Sequence, residues 1–289
     1  MNKVTVATGS PAAIPPELAE EYGIITVPFH TIVDGKDYLD TEMDMAWLYD
    51  WLQEKGKLAT TSFPPPKEFL QAYSQMARNS EAIVYISLTS AFSRAYTSAV
   101  EASESARKEL PGIRIEVINS CTVEAGETAI VIEAARAARE GKPFDQIVRL
   151  ARERVSSVSN LQTFDTLFYR SKQGRIFEAK SWAEAESAAS FKAILEVDAS
   201  TGGITKPVAR AGTKRHALEK MTSMAEERVG NGKLHAAIVH ANVPEQAELL
   251  KEMLLSQCRC EELYVSEACA ATAAQTGGGL ISLGFYGSE

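Results

Sequence analysis

AIVYISL, residues 82–88, leads through TSAF (89–92) into SRAYTSAVEASESARKEL (93–110). The first stretch is an unbroken run of apolar and small side chains rich in β-branched residues, which predicts a strand buried on both faces. The last has helical spacing, and Ser93 stands where the helix should begin. The same order recurs on either side. Downstream, IRIEVINS (113–120) precedes EAGETAIVIEAARAAREG (124–141). Upstream, VTVAT (4–8) precedes PPELAEEYG (15–23), whose prolines open a helix and whose glycine closes it. Strand–helix repetition of this kind implies a mostly parallel sheet covered on both faces.

Further readings fill in this half. IITVPFHTIV (24–33) reads as extended chain, turned by DGKDY (34–38). MDMAWLYDWLQEKG (43–56) places Trp47 and Trp51 four apart on one helical face. TTSFPPP (60–66) reads as a stiff elbow before the helix KEFLQAYSQMARN (67–79). PFDQIVRLARERVSS (143–157) closes the half as a helix, and SNLQTFDT (159–166) opens the next as a strand. The expected division is an N-terminal α/β domain over residues 1–158 and a C-terminal α+β domain over 159–289. The second half alternates strands (KAILEV, ITKPVARAG, LHAAIVHAN, CEELYVSEAC, LISLGFYG) with two helical stretches, 213–230 and 243–257. That pattern predicts a mixed sheet. Two lobes create a cleft, a usual ligand location.

Bulk numbers agree with this outline. A chain of 289 residues exceeds what one core usually supports. With 45% hydrophobic and 24% charged residues it reads as an ordinary globular protein. A net charge of −8 without a long basic run argues against a nucleic-acid surface. No apolar run reaches membrane-spanning length, so no stable membrane insertion is expected. The opening MNKVTVATGS reads as a first strand and not a signal peptide, and a cytoplasmic location is expected. Cys121, Cys258, Cys260 and Cys269 form no CxxC pair, and the four histidines lack ligand spacing. Reduced thiols and no metal site are expected. His240, ending an apolar run, reads as packed or solvated. GGG at 277–279 lacks the spacing of a dinucleotide loop, and neither GxSxG nor HExxH occurs.

What stands out is hydroxyl chemistry in three places: TTSFPPP, SLTSAFSRAYTSA (87–99) and AAQTGGGLISLGFY (273–286). Ser93 can cap its helix, and a helix N-terminus at a strand's carboxyl end also attracts anions. The glycines near 277 let backbone approach another body. Together the three spots offer neutral donors, suited to a small anion such as a carboxylate. No serine has an evident activating partner.

Six ordered motifs make the chain resemble the DegV family of bacterial fatty-acid-binding proteins: ATGSPAAIPPEL (7–18), ITVPFHTIVDGKDYLD (25–40), TTSFPPPKEFLQAY (60–73), SLTSAFSRAYTSA (87–99), FDTLFYRSKQGRI (164–176) and AQTGGGLISLGFY (274–286). The resemblance implies two α/β domains holding a long-chain fatty acid between them. The tail would lie in an apolar tunnel and the carboxylate near interdomain polar groups. It implies a carrier without catalysis or cofactor, one that presents the acid to a partner fatty acid kinase subunit or acyl-transfer enzyme. The matching head-group positions are Thr61, Ser62 and Ser93, joined by Arg94, Gln275 and Thr276. Ile32, Phe69, Phe92, Ile130 and Phe164 read either as tunnel liners or as plain core. The chain departs from the family pattern at Gly9, Arg94, Ala95, Gln275 and the Phe191–Ala193 stretch. Arg94 introduces a guanidinium able to pair with a carboxylate or phosphate. Gln275 donates a hydrogen bond but cannot act as acid or base. Two other classes remain open. One is a hydrolase or transferase on a small carboxylate or phosphate ester, with Asp165 or Glu267 as base. The other is a lipid-sensing interaction protein.

Overall fold

A computed structural model describes residues 4–54 and 57–288. Four parallel strands form the N-terminal sheet, in the spatial order Ile25–Val27, Val4–Gly9, Ala82–Ser87, Arg114–Asn119. Every residue of Ala82–Ser87 is buried, as its apolar run predicts for a central strand. Its alternate side chains serve two cores. Val84 and Ile86 pack under the Glu124–Arg139 and Phe144–Ser157 helices, while Ile83 and Tyr85 pack with Phe69, Tyr73 and Ala99 from the Pro66–Met76 and Ala95–Glu109 helices. Both faces are thereby covered.

The C-terminal sheet has six strands, in the order Lys206–Ala211, Lys192–Glu196, Ser159–Thr163, Ile281–Ser288, Lys233–His240, Cys260–Glu267. All neighbours are antiparallel except the last pair, so the sheet is mixed. The Lys214–Val229 and Pro244–Gln257 helices cover one face through Leu218, Met221 and Leu250. The architecture is a two-domain α/β fold with a parallel N-terminal sheet and a mixed C-terminal one.

Three local readings change. IITVPFHTIV is two strands, not one. Ile25–Val27 joins the parallel sheet, and after Pro28 the chain turns away to His30–Val33, the centre of a separate antiparallel sheet with Lys36–Leu39 and Thr60–Ser62. The hydroxyl triplet is therefore an edge strand before the proline elbow. The second helix runs Met45–Gln53, and Lys55 and Gly56 lie outside the described residues. Its two tryptophans part company. Trp51 is buried and donates its indole N–H to Asp34 at 3.0 Å, whereas Trp47 is 42% exposed. Finally, Phe168–Lys172 and Lys180–Ala189 are helices that the sequence reading passed over.

The Glu124–Arg139 helix lies between the two large sheets and touches both. It approaches the Ile281–Ser288 strand so closely that a Cβ at Gly284 would strike the Ala125 carbonyl and the Gly126 amide. A Cβ at Gly126 would meet the Thr122 hydroxyl and the Asn160 side chain. Hydrogen bonds stitch the preceding loop to the C-terminal lobe. Asn160 Nδ2 donates to the Val123 carbonyl at 2.9 Å and Thr122 Oγ1 to the Val197 carbonyl at 2.7 Å, while within the C-terminal sheet Ser282 Oγ donates to Asn160 Oδ1 at 2.9 Å and holds that amide in place. A second seam is apolar. Val33, Leu48, Trp51 and Leu52 share one core with Ala270, Ala273, Ala274 and Leu280.

Because the obstacle at Gly284 is backbone, it cannot rotate aside. Gly284→Ala should destabilise the chain by about 3 kcal/mol, at the upper end of ordinary overpacking. A large fall in the urea midpoint, or loss of soluble protein, is the expected outcome. Gly212→Ala, where a Cβ meets nothing within 4 Å, is the control.

Candidate ligand-binding site

Between the lobes lies a cavity of about 380 Å³. Its apolar walls are Pro11, Phe29, Phe63, Leu88, Phe92 and Val123, and all of these but Pro11 share a small core with Ala271 and Val197. Phe92 stacks on Phe177 with ring centroids 5.3 Å apart. The volume falls in the range of small-molecule sites, toward its lower end. Of the anticipated tunnel liners only Phe92 faces this cavity. Phe69, Ile130 and Phe164 are buried in three other cores, and Ile32 lies on the central strand of the three-stranded sheet.

Five of the six expected head-group residues line the cavity: Thr61, Ser62, Ser93, Arg94 and Gln275. Thr276 does not. It is fully buried, and its hydroxyl serves the backbone, donating to the Thr272 carbonyl at 3.0 Å. Residues 214 positions apart in sequence meet here, because Gln275 Nε2 donates to Thr61 Oγ1 at 2.8 Å. Thr61 keeps its own O–H to give. Gln275 Oε1 is buried without a hydrogen-bond partner. Ser93 Oγ accepts from the Ala95 amide at 3.1 Å, so the serine caps its helix from one position further out than expected, and Arg94 occupies the cap itself. Arg94 is exposed at the rim and makes no ion pair among the described residues.

The cavity also holds formal charge, which the reading of neutral donors missed. Arg170 is 2% exposed, and its guanidinium donates to Glu124 Oε1 at 2.8 Å. Gln162 Nε2 donates to Glu124 Oε2. Both carboxylate oxygens thus accept N–H groups, the arrangement an ionised carboxylate takes. Burial pushes the Glu124 pKa up, and Arg170 and Gln162 pull against it. The Arg170 plane sits near the Phe92 and Phe164 rings, at 5.1 and 5.6 Å, and its Nε has no partner. Arg175 is half-buried and donates Nε to the Phe92 carbonyl at 3.3 Å, which places it beside Ser93. Burial and the neighbouring Arg170 lower its pKa, and no carboxylate opposes them. Both arginines belong to the quoted stretch FDTLFYRSKQGRI, so two arginines five residues apart were the available signal.

Local backbone reinforces the assembly. Glu124 is the first residue of its helix and has φ 42°, while Cys121 in the same loop has φ 54°. Left-handed conformations are costly for non-glycine residues and collect at functional sites. The N-termini of the Ala95–Glu109 and Glu124–Arg139 helices both border the cavity, and each directs partial positive charge toward it. One turn beyond Glu124, Glu127 is fully buried, with Thr8 Oγ1 donating to Oε1 at 3.0 Å and Oε2 unpartnered. Burial raises its pKa well above the carboxylate range, and Glu124 raises it further against the Thr8 hydrogen bond.

The residues considered as bases lie elsewhere. Asp165 pairs with Lys214 at 3.1 Å, and burial lowers that lysine to about 8. Glu267 ends its strand opposite His240, whose Nδ1 is buried without a partner. The cysteines are all free, and no cluster of three or more metal-ligating side chains occurs among the described residues.

The pKa of Glu127 gives stability a sign. A carboxyl raised on folding holds its proton better in the folded chain, so it favours folding below the unfolded value and progressively loses that contribution as pH rises toward the folded one. Glu127→Gln removes the dependence. Its melting temperature should match wild type near pH 4.5 and exceed it increasingly from pH 5 to 8, as thermal unfolding across pH would show.

The comparisons with known proteins agree with this fold. The family model described as "Uncharacterised protein, DegV family" matches residues 3–288. A DegV domain-containing protein of Streptomyces coelicolor is 30% identical over 284 residues, 97% of each chain. One from Caldanaerobacter subterraneus is 35% identical over 182 residues, 63% of each chain. Among solved structures, a fatty-acid-binding DegV family protein from Thermus thermophilus superposes with TM-score 0.89 at 22% identity, covering 100% of both chains. A DegV family protein from Ruminococcus gnavus, solved with vaccenic acid, gives 0.88 at 22% identity over 98% of this chain and 100% of its own. The shared fold and the end-to-end match have one reading: this chain belongs to the DegV family.

Proposed function

We propose that this protein binds a long-chain fatty acid between its lobes, holding the carboxylate at the polar end of the cavity and the tail along its apolar walls. The observation that carries this is Arg175, a half-buried cation without a carboxylate partner among the described residues, bordering an apolar cavity beside Ser93 and Arg170. Such a charge calls for an anion from outside the chain. Thr61 and Ser93 add hydroxyls, and Ser62 and Arg94 stand at the rim. The fatty-acid binding described for relatives of the same fold supports the reading. So does the size of the effect available. Each buried methylene is worth about 0.8 kcal/mol, whereas each neutral head-group hydrogen bond adds about 1 kcal/mol net. The tail sets affinity and the polar groups set orientation.

The protein is, on this reading, a carrier that presents the carboxylate to a partner fatty acid kinase or acyl-transfer enzyme. Ser93 spends its hydroxyl as an acceptor for a helix amide, and the cavity lining has no histidine among the described residues, so nothing beside the serine activates it. We place the lobe boundary at residue 158, where the Phe144–Ser157 helix of the first lobe hands over to the Ser159–Thr163 strand of the second.

Native mass spectrometry of freshly purified protein should show the chain plus one fatty acid, and solvent extraction should release it. A chain that purifies empty and ignores added palmitate overturns the reading. Thr61→Ala and Ser93→Ala should each weaken palmitate about fivefold, the equivalent of about 1 kcal/mol. If loss of either hydroxyl leaves titrated affinity untouched, the carboxylate does not lie there.

A further inference from the structure

Gly9 is one of the positions at which the chain departs from the family pattern, and its backbone does not account for the glycine: φ −81° and ψ 157° are open to any residue. Space accounts for it. A Cβ at Gly9 would stand 2.7 Å from Phe29 Cε2, and 3.3 Å from both Pro11 Cδ and the Tyr85 hydroxyl oxygen. The Phe29 ring lies in the hollow that the missing side chain leaves, and from there it forms part of the cavity wall. We infer that Phe29, seated on Gly9, is a specificity-determining residue for the acyl tail: its ring bounds the cavity on that side and limits the length of saturated tail that the site takes.

The inference rests on the fatty-acid reading above and deepens it. Three observations converge on this ring. The Phe29 backbone is fixed, because its N–H is shared between Ser10 Oγ and Asp40 Oδ1, each at 3.0 Å, and its carbonyl accepts the Asp40 N–H at 2.9 Å. Asp40 is itself buried and accepts the Ser10 hydroxyl at 2.6 Å. On the other side of Gly9 the surroundings are equally firm, since Tyr85 is fully buried and packs edge-on against Phe69 with ring centroids 5.1 Å apart. What can give is the Phe29 ring, by rotation of its side chain, and the open space that it borders is the cavity. That cavity holds only about 380 Å³, so a displacement the size of one methyl group changes what fits. Ser93 and Arg175 stand on other segments of the chain, and altering the ring leaves both head-group donors in place.

The test titrates lipid-free protein with straight-chain saturated acids from decanoate to octadecanoate. In wild type, affinity should rise about fourfold with each added methylene and stop rising at a limiting length. Phe29→Ala removes the ring. It should weaken the short acids that lean on the ring and move the limit to longer ones, with about fourfold gained at each methylene newly enclosed. Gly9→Ala lifts the ring into the cavity, and should move the limit to shorter acids and weaken octadecanoate about tenfold or more. Gly9→Ala/Phe29→Leu gives the added methyl a smaller neighbour and should return the limit toward wild type. Opposite shifts from two residues in contact separate a length stop from a bracing role, in which every acid would weaken by the same factor. Equal weakening of all acids, or one limiting length shared by wild type and every variant, overturns the inference. If Phe29→Ala fails to fold, Phe29→Leu takes its place, and an unmoved limit there overturns the inference. If Gly9→Ala fails to fold, the Phe29 variants decide alone by the same criterion. Wild type that binds none of the acids removes the fatty-acid reading itself, and this inference falls with it.

Discussion

Everything in the structure depends on the contact between Gly284 and the Ala125–Gly126 peptide. Two sheets of different construction, one parallel and one mixed, have to share a helix. Their approach is set by how near its backbone can come to a strand. Side chains at either glycine would hold the lobes apart. With both absent, the loop before the helix reaches Asn160, Thr122 bonds across to Val197, and Glu124 arrives within ion-pair distance of Arg170. The cavity is what the close approach leaves open beside it.

The site that results is not the set of neutral hydroxyls that its sequence motifs advertise. Thr61, Ser62 and Ser93 do border the cavity, but its electrostatics come from two arginines and a glutamate below them. Arg170 approaches the aromatic faces of Phe92 and Phe164, so a ring of the cavity wall also steadies the guanidinium that pairs with Glu124. Glu127, one turn deeper, shows what the same helix does to a carboxylate with no cation to meet. Burial raises its pKa, and no guanidinium pulls it back. Two glutamates one turn apart on the same helix meet different partners, Arg170 for Glu124 and the Thr8 hydroxyl for Glu127.

Strong local patterns were legible in the sequence. AIVYISL announced a central strand because seven residues with no polar face have few other places to go, and the helix after it followed from spacing alone. Thr60–Ser62 was misread as an elbow because a three-residue edge strand has no period of its own. Its identity comes from His30–Val33, some thirty residues earlier. The Lys180–Ala189 helix was passed over between a strand and the next KAILEV run. Among the residues lining the cavity, Thr61, Ser93 and Gln275 could be named from the resemblance of their motifs to the family's, while the hydroxyl-rich stretches alone marked only the neighbourhoods. Arg170, Arg175 and Glu124 could not. An arginine or glutamate in sequence reads as a solvated surface residue, and only burial changes its meaning.

One consequence concerns cooperativity. The strands from His30 to Ser62 and the helix at Met45–Gln53 depart from the parallel sheet and place Val33, Leu48, Trp51 and Leu52 in a core that belongs to the other half of the chain. An isolated first half would carry these side chains bare, and an isolated second half would lack their cover. The sheets are two, yet neither half of the chain completes this core without the other. Whatever loosens the arm that carries Thr61 also loosens the floor of the opposite lobe.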